Sequence, residues 1–156
     1  MALSDGLWGK LFARKNGSQE PCPHKERRRS ERHRMDLPVR FRLYVPSQPE
    51  RGTLLIPAQL YDISEHGVGL LAGRMEYDGL HLTTPDRHSW EQCLLEIEIP
   101  FGKEPLRVHG KAVWYVPNPG AQTLAFRVGI EFVEVTADLR ARIRSFLNLY
   151  RVAAEV

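Results

Sequence analysis

Between Leu37 and Val135 apolar residues recur at every second position, and this alternation constrains the fold more than any other feature of the chain. Val39, Phe41, Leu43 and Val45 alternate with Arg40, Arg42 and Tyr44. Leu95, Ile97 and Ile99 alternate with Glu96 and Glu98, and Phe126, Val128, Ile130 and Phe132 alternate with Arg127, Gly129 and Glu131. Successive side chains of a strand point to opposite faces, so each run predicts a strand with one apolar and one wet face. Further strands are predicted near Leu54 to Ile63, Val68 to Ala72 and Leu106 to Val116, divided by proline and glycine signals. About six antiparallel strands sharing one core close most economically as a small barrel, so the fold class is mainly β. The stretch from Gly73 to Glu91 is polar, carries Asp78-Gly79 and Pro85, and is expected to be a long loop holding one short strand.

The period changes after Val135. Leu139, Ile143, Phe146, Leu147 and Tyr150 make one apolar stripe at helical spacing. Thr136 suits the N-cap, and Asp138 falls in the first turn, where the helix dipole favours negative charge. Such a helix would lie across the barrel and close it, with Arg140, Arg142, Arg144 and Arg151 on a solvated face. At the other terminus Leu3, Leu7, Trp8, Leu11 and Phe12 also fall at helical spacing, before an Asn-Gly-Ser and proline-rich break. That reads as a short amphipathic helix on a tether: a weakly packed terminus, a docking helix for a partner or, with Lys10, Arg14 and Lys15, a membrane-surface contact. The expected division is 1–24 as this N-terminal segment and 25–152 as one domain, with a basic arm (25–36), the barrel (37–135) and the helix (136–152).

A chain of 156 residues is long enough for one domain with a real core and short of two. No apolar run approaches the roughly 18 to 20 residues of a membrane helix, and the N-terminus lacks a signal-peptide core, so a cytoplasmic location is expected. Cys22 and Cys93 lie far apart in unlike contexts, which argues against a disulfide framework and for Cys93 as a lone buried thiol. Net charge is +3, but from Lys25 to Arg34 it is +4, which leaves −1 for the rest. A protein that coats nucleic acid spreads basic residues over a face that tracks many phosphates. One local patch is sized for a small anion instead.

Two short motifs carry the chemistry. In ERRRSERHR, Arg28 and Arg32 place two guanidinium forks four residues apart; in YDISEHGVGL, Asp62, Ser64 and Gly67 end a strand in a polar turn. Guanidinium groups suit bidentate contacts to phosphate or to the O6/N7 edge of guanine, and a carboxylate suits guanine's N–H donors. A ligand with both features is a guanine nucleotide. By itself the second motif is also an ordinary strand-ending turn, in which Asp and Ser bond local backbone and the glycine takes a positive φ. Asp62, Ser64 and His66 do not make a hydrolytic triad, since contiguous residues of one turn rarely reach that geometry and no oxyanion-hole motif accompanies them. Cys22 and His24 form only a CxH pair, and His33, His81, His88 and His109 are scattered, so no structural-zinc spacing is present.

RxxxR, followed by an LPVRF strand and DxSxxG about thirty residues on, resembles the PilZ domain, a bacterial receptor for cyclic di-GMP. HGKAVWYV (His109 to Val116), VGIEFVEV (Val128 to Val135) and the helix from Ala137 extend the resemblance over roughly residues 25 to 150. It implies a non-enzymatic receptor with no cofactor and no metal, whose ligand is cyclic di-GMP and whose output passes to an unidentified protein partner. Arg28, Arg32, Asp62, Ser64 and Gly67 are the ligand contacts carried over. Arg27, just before RxxxR, implies a stacked pair of nucleotides in place of one. Trp114, at the family's GxxxW position with Gly110, lies either in the barrel core or beside the ligand, where it could stack on guanine. The competing readings are an adaptor of the same fold that binds no nucleotide, and a basic-armed binder of nucleic-acid polymer, whose affinity would fall steeply with salt.

Overall fold

The computed structural model describes residues 31–155. In chain order the elements are β1 (His33–Val45), β2 (Gln48–Gly52), β3 (Ile56–Ile63), β4 (Gly67–Ala72), β5 (Glu76–Tyr77), β6 (Leu80–His81), β7 (Leu94–Ile99), β8 (Leu106–Pro117), β9 (Phe126–Val133) and α1 (Ala137–Glu155). Every pairing is antiparallel. The order β1-β3-β4-β9-β8-β7 returns to β1, which closes a six-stranded barrel, and β2 lies outside the ring as an extra strand on β1. The alternation predicted from sequence is the inside–outside alternation of this wall. Phe41, Leu43, Leu60, Ile63, Leu70, Leu95, Ile97, Ile99, Leu106 and Ile130 point inward and are fully buried. Each such side chain contributes about 1.5–3 kcal/mol of burial, so truncating one costs far more than any surface change.

The two ends are closed differently. At the end where β1 begins, Ile143, Phe146 and Leu147 of α1 enter the core, and Phe146 packs on Phe101 of the β7–β8 turn at 5.4 Å. Thr136 caps the helix as expected, its hydroxyl accepting from the Leu139 amide at 3.2 Å. Arg144 does not lie on a merely solvated face, because its Nε donates to Glu65 at 2.9 Å and ties α1 to the β3–β4 turn.

At the opposite end the stretch expected to be a polar loop is part of the core. Met75, Tyr77, Leu80 and Leu82 are buried there, and Tyr77 meets Phe41 edge-on at 5.7 Å. The segment holds two short strands, β5 and β6, joined at Asp78-Gly79, whose φ angles of 52° and 79° match a two-residue hairpin turn. Two other expectations shift. β3 starts at Ile56, leaving Leu54 exposed, and the β1 ladder already begins at His33, so residues 33–36 of the expected arm belong to the barrel wall. The N-terminal amphipathic pattern, Cys22, Arg27 and Arg28 lie outside the described residues; Cys93 is a free buried thiol whose pKa burial pushes up.

Candidate functional site

One row of directly opposed residues crosses the outer wall of the barrel: Arg34 on β1, Asp62 on β3, Gly69 on β4, Gly129 on β9 and Trp114 on β8. The inward neighbours Ile63, Val68, Leu70, Val128 and Ile130 are buried, which fixes this row on the outer face. Its two central glycines are what the large residues at either side lie upon. A Cβ on Gly69 would stand 2.6 Å from Asp62 Oδ1, and one on Gly129 would stand 2.2 Å from the Trp114 ring. The Asp62 Oδ1 and the indole therefore occupy the space that a side chain on each glycine would need. Trp114 is not in the core; it is a partly exposed part of the outer wall.

Asp62 is held by Arg32, whose Nη1 donates to Oδ1 at 3.1 Å. Both side chains are partly exposed, 28% for Arg32 and 17% for Asp62, and an ion pair of this kind contributes on the order of 1 kcal/mol or less. The barrel thus brings together one arginine of RxxxR and the aspartate of DxSxxG, across thirty residues of sequence.

Tyr61, immediately before Asp62, has two cations over its ring. The Arg34 guanidinium lies 4.2 Å from its ring centre and that of Arg127 lies 4.8 Å from it. Arg127 Nη1 also donates to the Tyr61 hydroxyl at 3.2 Å, and its guanidinium covers Trp114 at 5.4 Å. The Nε of Arg127 is buried and has no hydrogen-bond partner among the described residues, a rare condition for a polar atom. Beside this stack the β1 ladder shifts register between Arg34 and Leu37 and opens a hollow of about 380 Å³ lined by Arg34, Met35, Asp36, Gln59, Leu60, Tyr61 and Leu71. A larger groove of about 510 Å³ between β1 and the β7–β8 turn contains no residue of RxxxR or DxSxxG among those that line it.

The DxSxxG turn has a structural role of its own. The Ser64 amide donates to the Gly67 carbonyl at 2.9 Å, and the buried Ser64 hydroxyl accepts from the His66 amide at 3.2 Å. The hydroxyl is thereby engaged within the turn. The Phe132 amide donates to the His66 carbonyl, so the position of His66 matters through its backbone. Gly67 is not at the positive φ expected of it; a Cβ there would stand 2.2 Å from the Ile130 carbonyl oxygen, and the close approach of β9 is what demands glycine. The sequence motifs point to Arg32, Asp62, Ser64 and Gly67 in one region and leave Trp114 between that region and the core; they do not point to Tyr61, Gly69, Gly129, Arg34 as a stacking partner or Arg127. Chemically the face offers three guanidinium groups, one carboxylate and two aromatic rings around a strip of backbone, a surface for a flat, anionic ligand with N–H donors.

The PilZ domain description matches residues 26–149, and the chain belongs to the PilZ domain family. No curated protein matches the sequence. Solved structures with the same fold include the PilZ domain of YcgR from Escherichia coli with c-di-GMP, 18% identical at a TM-score of 0.51 over 83% of this chain and 95% of that one. The inhibitor of motility of Bacillus subtilis is 18% identical, with a TM-score of 0.52 over 86% of this chain and 57% of its own. MrkH of K. pneumonia in its apo state is 14% identical, with a TM-score of 0.57 over 83% of this chain and 54% of its own. The chain therefore spans little more than half of the last two proteins. Among the described residues no helix is long and apolar enough to cross a membrane, and no cluster of metal-ligating side chains is present.

Proposed function

We propose that the chain is a non-enzymatic receptor for cyclic di-GMP. The observation that carries this reading is the Arg32–Asp62 contact on the outer wall, because it joins a phosphate- and guanine-seeking group to a guanine-seeking one. The family and the c-di-GMP complex of the YcgR PilZ domain support it. Arg27 and Arg28 come from the chain segment entering β1, and the ligand draws that segment onto the Asp62 face. Arg34 and Arg127, already paired with aromatic rings, add positive charge and stacking surface for the phosphates and guanines.

The output is the altered surface around an occupied site, read by a protein partner. Val113, Trp114, Tyr115 and Val116 form an exposed apolar run that enters the row at Trp114, so ligand on the row changes what that strip presents. Arg27 supplies a further fork beside Arg28, which suits a stacked pair of nucleotides with more phosphate and more guanine edges than one. Calorimetric titration with cyclic di-GMP, with GTP and cyclic di-AMP as controls, tests this. Selective binding at a ratio near two per chain is expected, moving toward one in Arg27→Leu. A ratio of one in the wild type removes the pair; no binding removes the receptor.

A further inference from the structure

Asp62 has two claimants. Its Oδ1 accepts from Arg32 Nη1 at 3.1 Å, and the function proposed above needs the same carboxylate for the N–H donors of a guanine. A guanidinium and the donor edge of guanine are alike in the respect that counts here. Each is planar, and each offers neighbouring N–H groups to a carboxylate. We infer that Arg32 is a self-ligand occupying Asp62 in place of guanine, and that nucleotide binding is an exchange: guanine takes Asp62, and Arg32 moves to the nucleotide. The inference rests on the receptor reading.

The geometry fits a contact made to be exchanged. Only one of the possible donor–acceptor pairs is formed, and the carboxylate is partly open to water. The acceptor is fixed while the donor is not. Asp62 lies within the ladder on both sides, opposite Arg34 and Gly69, with its Oδ1 set against Gly69. Arg32 lies one residue outside the β1 ladder, which starts with His33 opposite Ile63. Rotation about the Arg32 backbone and side chain alone can free Asp62 without breaking a strand pairing. Nor is another cation on the face already bound to Asp62. Arg34 and Arg127 are engaged with Tyr61, and among the described residues Arg32 makes the one ion pair to Asp62.

The exchange is tested on the full chain with ¹⁵N-labelled arginine, following the Arg32 Nε–Hε signal, assigned by its loss in Arg32→Lys. Without nucleotide, Asp62→Asn should move the Arg32 signal. With cyclic di-GMP at saturation, wild type and Asp62→Asn should give the Arg32 signal at one common position, because Arg32 has left residue 62. Asp62→Asn should still bind, about tenfold more weakly. An Arg32 signal indifferent to Asp62→Asn without nucleotide overturns the exchange, as does one equally sensitive to it at saturation. If cyclic di-GMP does not bind at any concentration, the receptor reading falls and the exchange with it, whereas binding with either of the two failures above overturns the exchange alone.

Discussion

Two arginine–aspartate pairs among the described residues could hardly be built more differently. Arg51 and Asp86 join the β1–β2 hairpin to the segment before β7 by two parallel bonds of 2.7 and 2.8 Å. Asp86 is 5% exposed, and it also accepts from the Ser89 amide and hydroxyl at 3.0 Å and from the His88 amide at 3.2 Å. Burial acts to raise its pKa, but the Ser89 amide, the Arg51 fork, the Ser89 hydroxyl and the Arg51 charge outweigh burial and bring it down to about 2. The neighbouring contact of Ser47 with Glu91 fastens the same junction. Arg32 and Asp62, by contrast, share a single 3.1 Å bond at the entrance of β1. The same two residue types make a rivet whose carboxylate takes five bonds, and a clasp with a single one among the described residues.

The largest expected effect lies on the clasp. Arg32→Ala and Arg28→Ala should each weaken cyclic di-GMP binding by about 1–3 kcal/mol, roughly ten- to a hundredfold, while Arg32→Ala shifts Tm by no more than about 2–4 °C. Calorimetry and thermal unfolding of the same samples decide it; wild-type affinity in the double variant ends the assignment. Next in size, Asp62→Ala should cost about tenfold in affinity and, with it, the preference over cyclic di-AMP, because guanine's donors lose their acceptor. Unchanged preference would leave Asp62 only its place in the ladder.

The rivet should behave the opposite way. Asp86→Asn should leave nucleotide affinity as it is and lower Tm at pH 7, as followed by thermal unfolding. The sign follows from the depressed carboxyl. Its stabilisation is fully present above the unfolded pKa of about 3.9 and is lost as pH falls through the folded value of about 2, so wild type and Asp86→Asn should converge across that window. A Tm difference that persists at pH 2 would assign the role to packing instead of charge. Smallest of all, Arg144→Ala removes an exposed pair with Glu65 and should cost under about 1 kcal/mol, read from denaturant unfolding. A larger loss would mean that the β3–β4 turn depends on α1 for its shape.

The comparison also separates what the sequence discloses from what it withholds. The barrel strands are legible because each faces one core and so alternates. β2 is not, because QPERG offers no apolar residue and pairs with β1 through backbone at the outside of the ring. Met75, Tyr77, Leu80 and Leu82 escape notice because they reach the core from a hairpin and its flanks, among polar neighbours and without a sustained period. At the site, Arg32, Asp62, Ser64 and Gly67 stand out as motifs within single segments. Arg127, Tyr61 and Gly69 do not, since they meet only through cross-strand register, which local pattern does not encode. A usable signal was present in Gly129: a glycine at an outward position of an otherwise regular strand marks close approach, here of the Trp114 ring. The rivet escaped sequence reasoning because Arg51 and Asp86 stand thirty-five residues apart in two stretches without periodicity.

The indole lying on Gly129 also gives the protein a built-in magnetic reporter. The Cβ direction at this residue points into the Trp114 ring, and in glycine that direction is taken by an α-proton. The circulating electrons of the indole displace the resonance of that proton from the range of ordinary strand glycines. Anything that lifts Trp114 from the wall, whether a base sliding beneath it or a partner drawing it away, returns the resonance toward that range. One line of a proton spectrum thus records whether this stretch of wall is covered.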